Sequence, residues 1–307
     1  MEFLGNQKAK QTLEKMKQSG RISHAILLCG EKGVGKKTFA RIIAQTVLCE
    51  SENAPCGVCE NCKKINNKTH VDVEEISEFT RPNSFPIDKV REIKKTAYLS
   101  PNEAKLRVFI LANADCMKAE AQNALLKIIE EPPSTSVFIL TAQNREKMLE
   151  TVLSRCVSIP LLPVEETVAK EYVKSLYPEK DTKTLENMSQ VFSGNIGALI
   201  DAVNDKDCIQ QIDYALDIIK SLKEKDEYKT LVLLSKLQKA QTTPIFEKVV
   251  FILSRSVGEN SVSHLEGVSA ESRLHWLTQF ICALNDITKN ANIPLLMTQL
   301  CVKLYSL

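Results

Sequence analysis

No stretch of this 307-residue sequence approaches the run of about eighteen apolar residues that a bilayer span requires, which excludes a transmembrane helix. The opening residues Met1-Glu2-Phe3-Leu4-Gly5-Asn6-Gln7 lack a basic region followed by an apolar one, so no secretory signal is expected. An excess of charge of one sign is missing too. Forty Lys and Arg stand against 38 Asp and Glu, a formal net charge of +2. So even a balance provides no global field for nucleic acid, and any DNA contact has to come from local patches. Internal repeats and low-complexity tracts are also absent, which argues against a solenoid or an unstructured linker.

What is present reads as an ordinary globular chain: 44% hydrophobic, 25% charged and 6% aromatic, with a length that fits two or three domains. Ten cysteines are unevenly spread. Four fall within Cys49–Cys62, and Cys29, Cys116, Cys156, Cys208, Cys282 and Cys301 stand singly. That pattern suits a reducing cytosol, with one metal site and several buried thiols, rather than a disulfide framework.

Helical and strand-like segments alternate through the first half. Residues 6–18 predict a helix, 25–29 a short buried strand, and 36–47 a second helix. Further strands are expected over 71–76, 108–111 and 137–141, and further helices over 87–98 and 116–130. Such alternation predicts a three-layer α/β domain with a mostly parallel sheet. The Pro-flanked segment Ile159-Pro160-Leu161-Leu162-Pro163 marks its end, and no strand is expected beyond it. The remainder divides into a small helical lid over 162–205, interrupted at Ser193-Gly194-Asn195, and an all-helical domain over 206–307. In that last part the stripe containing Trp276 reads as helix packing.

The run Gly30-Glu31-Lys32-Gly33-Val34-Gly35-Lys36-Lys37-Thr38 follows a predicted strand and opens a predicted helix, which is the context of a phosphate-binding loop. Glycines let backbone N–H groups close around phosphate, and Lys36 would reach the outer phosphates. One position departs from the pattern. The residue after the lysine should carry a hydroxyl to hold Mg²⁺, and here it is Lys37, an ammonium that repels a cation. Thr38 lies one residue later, rotated by roughly 100° around the helix, and is a poor substitute. Acids are expected at the end of a second strand, one for the metal and one for the attacking water. Those two positions hold Ala112 and Asn113, and the next acid, Asp115, reads as the N-cap of a helix starting at Cys116.

Cys49, Cys56, Cys59 and Cys62 include two consecutive C-x-x-C spacings and supply enough thiolates to close a tetrahedral zinc site. Iron–sulfur ligation is the alternative. With four cysteines no coordination position stays open, so the metal is expected to be structural. Lys63, Lys64 and Lys68 beside the cluster read as a solvated face rather than a DNA contact.

Taken in order, these motifs resemble the AAA+ subunits of the bacterial DNA polymerase III clamp loader. The resemblance runs from Leu4-Gly5-Asn6-Gln7 and His24-Ala25 through the phosphate loop and the cysteines. It continues through Ile87-Asp88-Lys89-Val90-Arg91, Ala124-Leu125-Leu126-Lys127 with Glu130-Glu131-Pro132-Pro133, and Ser154-Arg155-Cys156, and covers roughly residues 1–200. It implies an AAA+ domain over 1–161 with a zinc insert, the helical lid, and a collar through which subunits assemble. It favours zinc in the insert and places His24 near the nucleotide pocket, where packing or capping serves equally well. It also implies a γ-phosphate-sensing arginine in the lid, where this chain has Gly197. Arg155 stands where the family has an arginine finger, which acts in the ATP site of a neighbouring gamma-type subunit. The lost positions, and an end at Leu307 without the extension found in tau, point to the non-hydrolysing delta-prime branch. The implied partners are gamma/tau and delta subunits in a hetero-pentamer, with sliding clamp and primer-template DNA reached through the complex, in the bacterial cytoplasm. ATP binding is doubtful on this reading. Two rival readings remain: a self-sufficient gamma/tau-type ATPase, and a zinc-bearing P-loop protein that uses nucleotide as a switch.

Overall fold

The computed structural model describes residues 3–20, 22–257 and 265–306. The chain divides into two compact units, Met1–Val164 and Glu165–Leu307.

The first unit is the expected α/β domain. Its elements are α1 (Gln7–Gln18), β1 (Ala25–Cys29), α2 (Lys36–Leu48), α3 (Glu60–Asn66), β2 (Val73–Ile76) and α4 (Ile87–Ala97), then β3 (Arg107–Leu111), α5 (Ala119–Glu130), β4 (Ser136–Ala142), α6 (Glu150–Leu153) and β5 (Val157–Pro160). The strands form one sheet in the order β2-β3-β4-β1-β5, and every pairing is parallel. Parallel strands need crossover connections, and the helices between them supply these.

The sheet is buried on both faces, and the alternation of side chains decides which residue goes where. Leu27, Phe109, Leu111, Phe138 and Leu140 face one side, where they meet Val90 and Ile93 of α4, Leu125 and Ile129 of α5, and Val152 of α6. The rings of Phe109 and Phe138 stack there with centroids 5.2 Å apart. Ile26, Leu28, Val108, Ile110, Val137 and Ile139 face the other side, against Leu13 of α1, Phe39 and Ile43 of α2, and Ile65 of α3.

Strand β5 is absent from the sequence expectation, because a four-residue segment with a polar Ser158 and a terminal Pro160 carries little strand signal. Its pairing with β1 forms it. Helix α3, whose seven residues complete the cysteine insert, goes equally unannounced.

The ends of β1, β4 and β5 are tightly drawn together. The Gly30 N–H donates to the Ala142 carbonyl at 3.2 Å, and the Leu161 N–H donates to the Cys29 carbonyl at 2.7 Å. A Cβ on Gly30 would stand 2.3 Å from the Leu161 carbonyl oxygen, which is backbone and cannot turn aside. Gly30→Ala is therefore expected to cost about 1–3 kcal/mol, as overpacking typically does. Denaturant unfolding that shows the variant as stable as the parent would contradict this account of the site.

The second unit contains α7 (Glu166–Leu176), α8 (Thr182–Phe192), α9 (Ile196–Asn204), α10 (Lys206–Lys223), α11 (Glu227–Ser235), α12 (Lys239–Val257), α13 (Ala270–Thr288) and α14 (Ile293–Leu304). No strand occurs in it among the described residues, as the sequence predicts. The break at residues 193–195 is real. Ser193 and Gly194 take φ of 44° and 80°, which stops α8, and the Asn195 side chain accepts from the Ala198 N–H to start α9. Trp276 is buried, in keeping with a packing role. No helix among the described residues is long and apolar enough to cross a membrane.

Candidate functional site

The glycine-rich run 30–38 occupies the β1–α2 turn and the start of α2, as expected. Gly33 and Gly35 adopt φ of 95° and 90°, a left-handed geometry that favours glycine, and Gly35 is the N-cap of α2. Lys36 opens the helix and is nearly buried. Its ammonium donates to two carbonyls of its own loop, Gly30 at 2.7 Å and Glu31 at 2.8 Å. Burial pulls this ammonium down to about 8, against the opposing influence of the Asp115 carboxylate. Lys37 and Thr38 follow as the second and third residues of α2, both half-buried.

At the end of β3 no acid replaces the missing pair. Ala112 is fully buried, and its N–H donates to the Ile76 carbonyl at 2.9 Å. Asn113 sits in the left-handed region at φ 55°. Its backbone N–H goes to Thr141 Oγ1 at 3.0 Å and its side-chain amide to the Phe79 carbonyl at 3.0 Å. Asn113 therefore braces the segment that carries Phe79.

Asp115 requires a correction. It lies inside a 3-10 turn, Ala114–Cys116, and the following helix starts only at Ala119 behind Lys118. Its Oδ2 accepts from the N–H groups of Gln143 and Asn144, at 3.2 and 3.1 Å, in the loop after β4. The carboxylate thus caps the end of a neighbouring strand instead of a helix, a partnership 28 residues away that no local pattern displays. Its Oδ1 is buried without a hydrogen-bond partner, and its charge is felt by both Lys36 and Cys29. His24 packs as a tether: its Nε2 lies 2.9 Å from the Ile129 carbonyl, and since a carbonyl only accepts, Nε2 carries the proton.

The four clustered cysteines converge. All four Sγ atoms lie within 4.8 Å of one another, and those of Cys49 and Cys59 are 3.9 Å apart. A tetrahedral zinc with Zn–S bonds of about 2.3 Å requires sulfur separations of about 3.8 Å, so the donor set fits the ion. Backbone N–H groups already point at the sulfurs, from Cys59 to Cys56 Sγ at 3.3 Å and from Cys62 to Cys59 Sγ at 3.4 Å. Without a cation the thiols diverge. The Cys59 N–H lowers Cys56 to about 6, and burial pushes Cys62 up to about 12. A bound cation would hold all four as thiolates.

The insert is wired to the domain. Gln45 donates to the Cys62 carbonyl at 3.0 Å, and Asn61 donates to the Leu48 carbonyl at 2.9 Å. His70 Nδ1 accepts from the Asp72 N–H, so Nε2 is protonated and faces Asn61 Oδ1 at 3.3 Å. Lys64 pairs with Glu103 at 2.7 Å and Glu60 at 3.2 Å, while Lys63 and Lys68 are exposed. The other six cysteines are also outside any disulfide: Cys116, Cys208 and Cys301 are buried as anticipated, Cys29 and Cys156 are half-buried, and Cys282 is exposed.

Arg155 lies between α6 and β5, outside the loop cluster. Its Nε meets Glu130 Oε1 at 2.7 Å, and its Nη1 donates to the Thr151 carbonyl at 2.9 Å and to Ser154 Oγ at 3.2 Å. Glu130 belongs to the Glu-Glu-Pro-Pro run, to which the sequence alone assigns no chemical task. Gly197, in the second unit, is the second residue of α9.

A family model described as "DNA polymerase III, delta subunit" matches residues 5–165. Among curated proteins, the DNA polymerase III subunit gamma of Buchnera aphidicola subsp. Acyrthosiphon pisum is 31% identical over 188 residues, 60% of this chain and 51% of that protein. The subunit gamma/tau of Mycobacterium tuberculosis strain H37Rv is 36% identical over 168 residues, 53% of this chain and 28% of that one. This chain thus spans between about a quarter and a half of the length of these relatives. Among solved structures, a DNA polymerase III gamma subunit-related protein from Thermotoga maritima is 18% identical with a TM-score of 0.48, covering 95% of this chain and 98% of its own.

Proposed function

This chain belongs to the DNA polymerase III delta-subunit family, and from that premise we propose that it is a clamp-loader subunit of the delta-prime type. It does not hydrolyse ATP itself and presents Arg155 to the ATP site of a neighbouring gamma-type subunit. The observation that carries the reading is the combined state of one site. A lysine stands at the magnesium position, and both strand-end acid positions hold Ala112 and Asn113, the latter engaged with Phe79. Hydrolysis needs a held metal and an oriented water, and these residues supply neither.

In this reading Gly30, Gly33, Gly35, Lys36, Lys37 and Thr38 form a degenerate phosphate loop. Its lysine is engaged with the carbonyls of Gly30 and Glu31. Cys49, Cys56, Cys59 and Cys62 hold a structural zinc, supported by their spacing and convergence. Residues 1–161 form the AAA+ domain, 162–205 the lid, and 206–307 the collar for assembly with gamma/tau and delta subunits. Sliding clamp and primer-template DNA are met through that hetero-pentamer, in the bacterial cytoplasm.

The second reading, an active gamma/tau-type ATPase, is favoured by the curated relatives, which carry those names. Turnover of ATP by the isolated, monodisperse chain separates the two. The expected result is phosphate release no faster than background. Magnesium-dependent hydrolysis that vanishes in Lys36→Ala would reverse the assignment.

A further inference from the structure

Arg155 is held more closely than an exposed turn arginine needs to be. Its backbone N–H donates to the Val152 carbonyl at 3.1 Å, on a helix whose Val152 and Leu153 are buried. Two of the three nitrogens of its planar fork are engaged. Nε faces Glu130, and Nη1 is divided between the Thr151 carbonyl and Ser154 Oγ. Nη2 has no hydrogen-bond partner among the described residues, and the side chain is 38% exposed. A flat group hydrogen-bonded through Nη1 and ion-paired at Nε is restricted in its orientation, with Nη2 left unbonded.

Glu130 is itself fixed. It is the last residue of α5, whose Leu125, Ile128 and Ile129 are buried in the core. The carbonyl just before it, on Ile129, is tied to His24. Pro132 and Pro133 come soon after and stop the helix there. Its side chain is 43% exposed, and an ion pair so open to water contributes little to stability. What the carboxylate adds to an arginine at this depth is direction.

We propose that Glu130 is the positioning residue for Arg155, holding the guanidinium in the orientation in which its free donors reach a nucleotide on a neighbouring subunit. This rests on the arginine-finger reading above. No bond is made or broken by Glu130, and its carboxylate acts only as the ion-pair partner of the guanidinium, 2.7 Å from Nε.

The test uses the full chain in a loader reconstituted with gamma-type, delta and sliding-clamp proteins and primed DNA. Glu130→Ala should lower kcat for ATP hydrolysis at the served site about tenfold, within the roughly 10²-fold that a 1 Å misplacement costs. KM and the melting temperature of the chain should stay unchanged. Glu130→Gln should recover little of the rate, because its neutral amide forms no ion pair with the guanidinium. Combining Glu130→Ala with Arg155→Ala should lose no more than Arg155→Ala alone. If Arg155→Ala is itself without effect, the finger reading fails and takes this inference with it. If Arg155→Ala is impaired while Glu130→Ala matches or exceeds the parent, only the role of Glu130 is overturned. A Glu130→Ala loss that persists in full in the Arg155→Ala background overturns it as well. Glu130→Asp, whose shorter arm withdraws the carboxylate, serves if the alanine variant does not fold.

Discussion

Arg155→Ala is expected to abolish the share of ATP hydrolysis that a reconstituted loader carries out at the site facing this chain. An arginine finger offsets charge that develops on the γ-phosphoryl group, an effect typically worth about 10³–10⁵ in rate. The served site should therefore fall silent on the time scale of a single turnover. The measurement is rapid-quench phosphate release, in which the burst loses one site's portion while the other sites keep theirs. Arg155→Lys should restore little, because an ammonium keeps the charge but not the planar fork. Folding is not expected to account for the loss. Arg155 is 38% exposed, and its pair with Glu130 falls in the range of about 0–1 kcal/mol for exposed ion pairs. An unchanged melting temperature alongside a missing burst is the predicted pair of results. An unchanged burst would falsify the finger assignment.

Removing the metal should have the largest effect on stability. Structural zinc in small peptides contributes an apparent binding energy of about 10–16 kcal/mol at neutral pH, and that energy is folding energy. Little else holds the part of the insert that carries the cysteines. Of the segment from Cys49 to Cys62, only Cys62 is buried, and the anchors from Gln45 and Asn61 are two hydrogen bonds. Cys59→Ser or a strong chelator is expected to melt the insert, and hydrogen exchange should rise across residues 49–66. The sheet core on the α4, α5 and α6 side contains no residue of the insert and should keep its protection. Material purified without chelator should contain one zinc per chain by elemental analysis. Zinc-free material whose Cys59→Ser variant melts at the parent's temperature would overturn the site. Visible charge-transfer absorption would assign it to iron–sulfur chemistry instead.

The degree to which the sequence foretells this structure varies residue by residue, and the variation has physical causes. Strand β1 is predicted at its observed bounds, because five apolar residues end at a glycine turn whose spacing fits one local geometry. The four cysteines are legible for the same reason: a C-x-x-C turn aims two sulfurs at one point whatever surrounds it. Asp115 is misread because its partners, the N–H groups of Gln143 and Asn144, arrive only when β3 and β4 lie side by side. Helix α5 likewise starts three residues later than its periodicity suggests, since a 3-10 turn occupies Ala114–Cys116 first.

The features that depend on local chemistry were thus settled by sequence alone. These are the alternating α/β half and the helical half, the glycine-rich turn between β1 and α2, and the convergence of the four clustered cysteines. Each is a pattern within one turn, one strand or one helix, where backbone geometry leaves few choices. Tertiary structure decided the features that arise only when distant segments meet. It gave the strand order with β5 at the edge, the carbonyls of Gly30 and Glu31 on the Lys36 ammonium, and the carboxylate of Glu130 on Arg155. Glu130 and Arg155 are brought together by the packing of α5 and α6 against one sheet face, a contact that no spacing along the chain encodes.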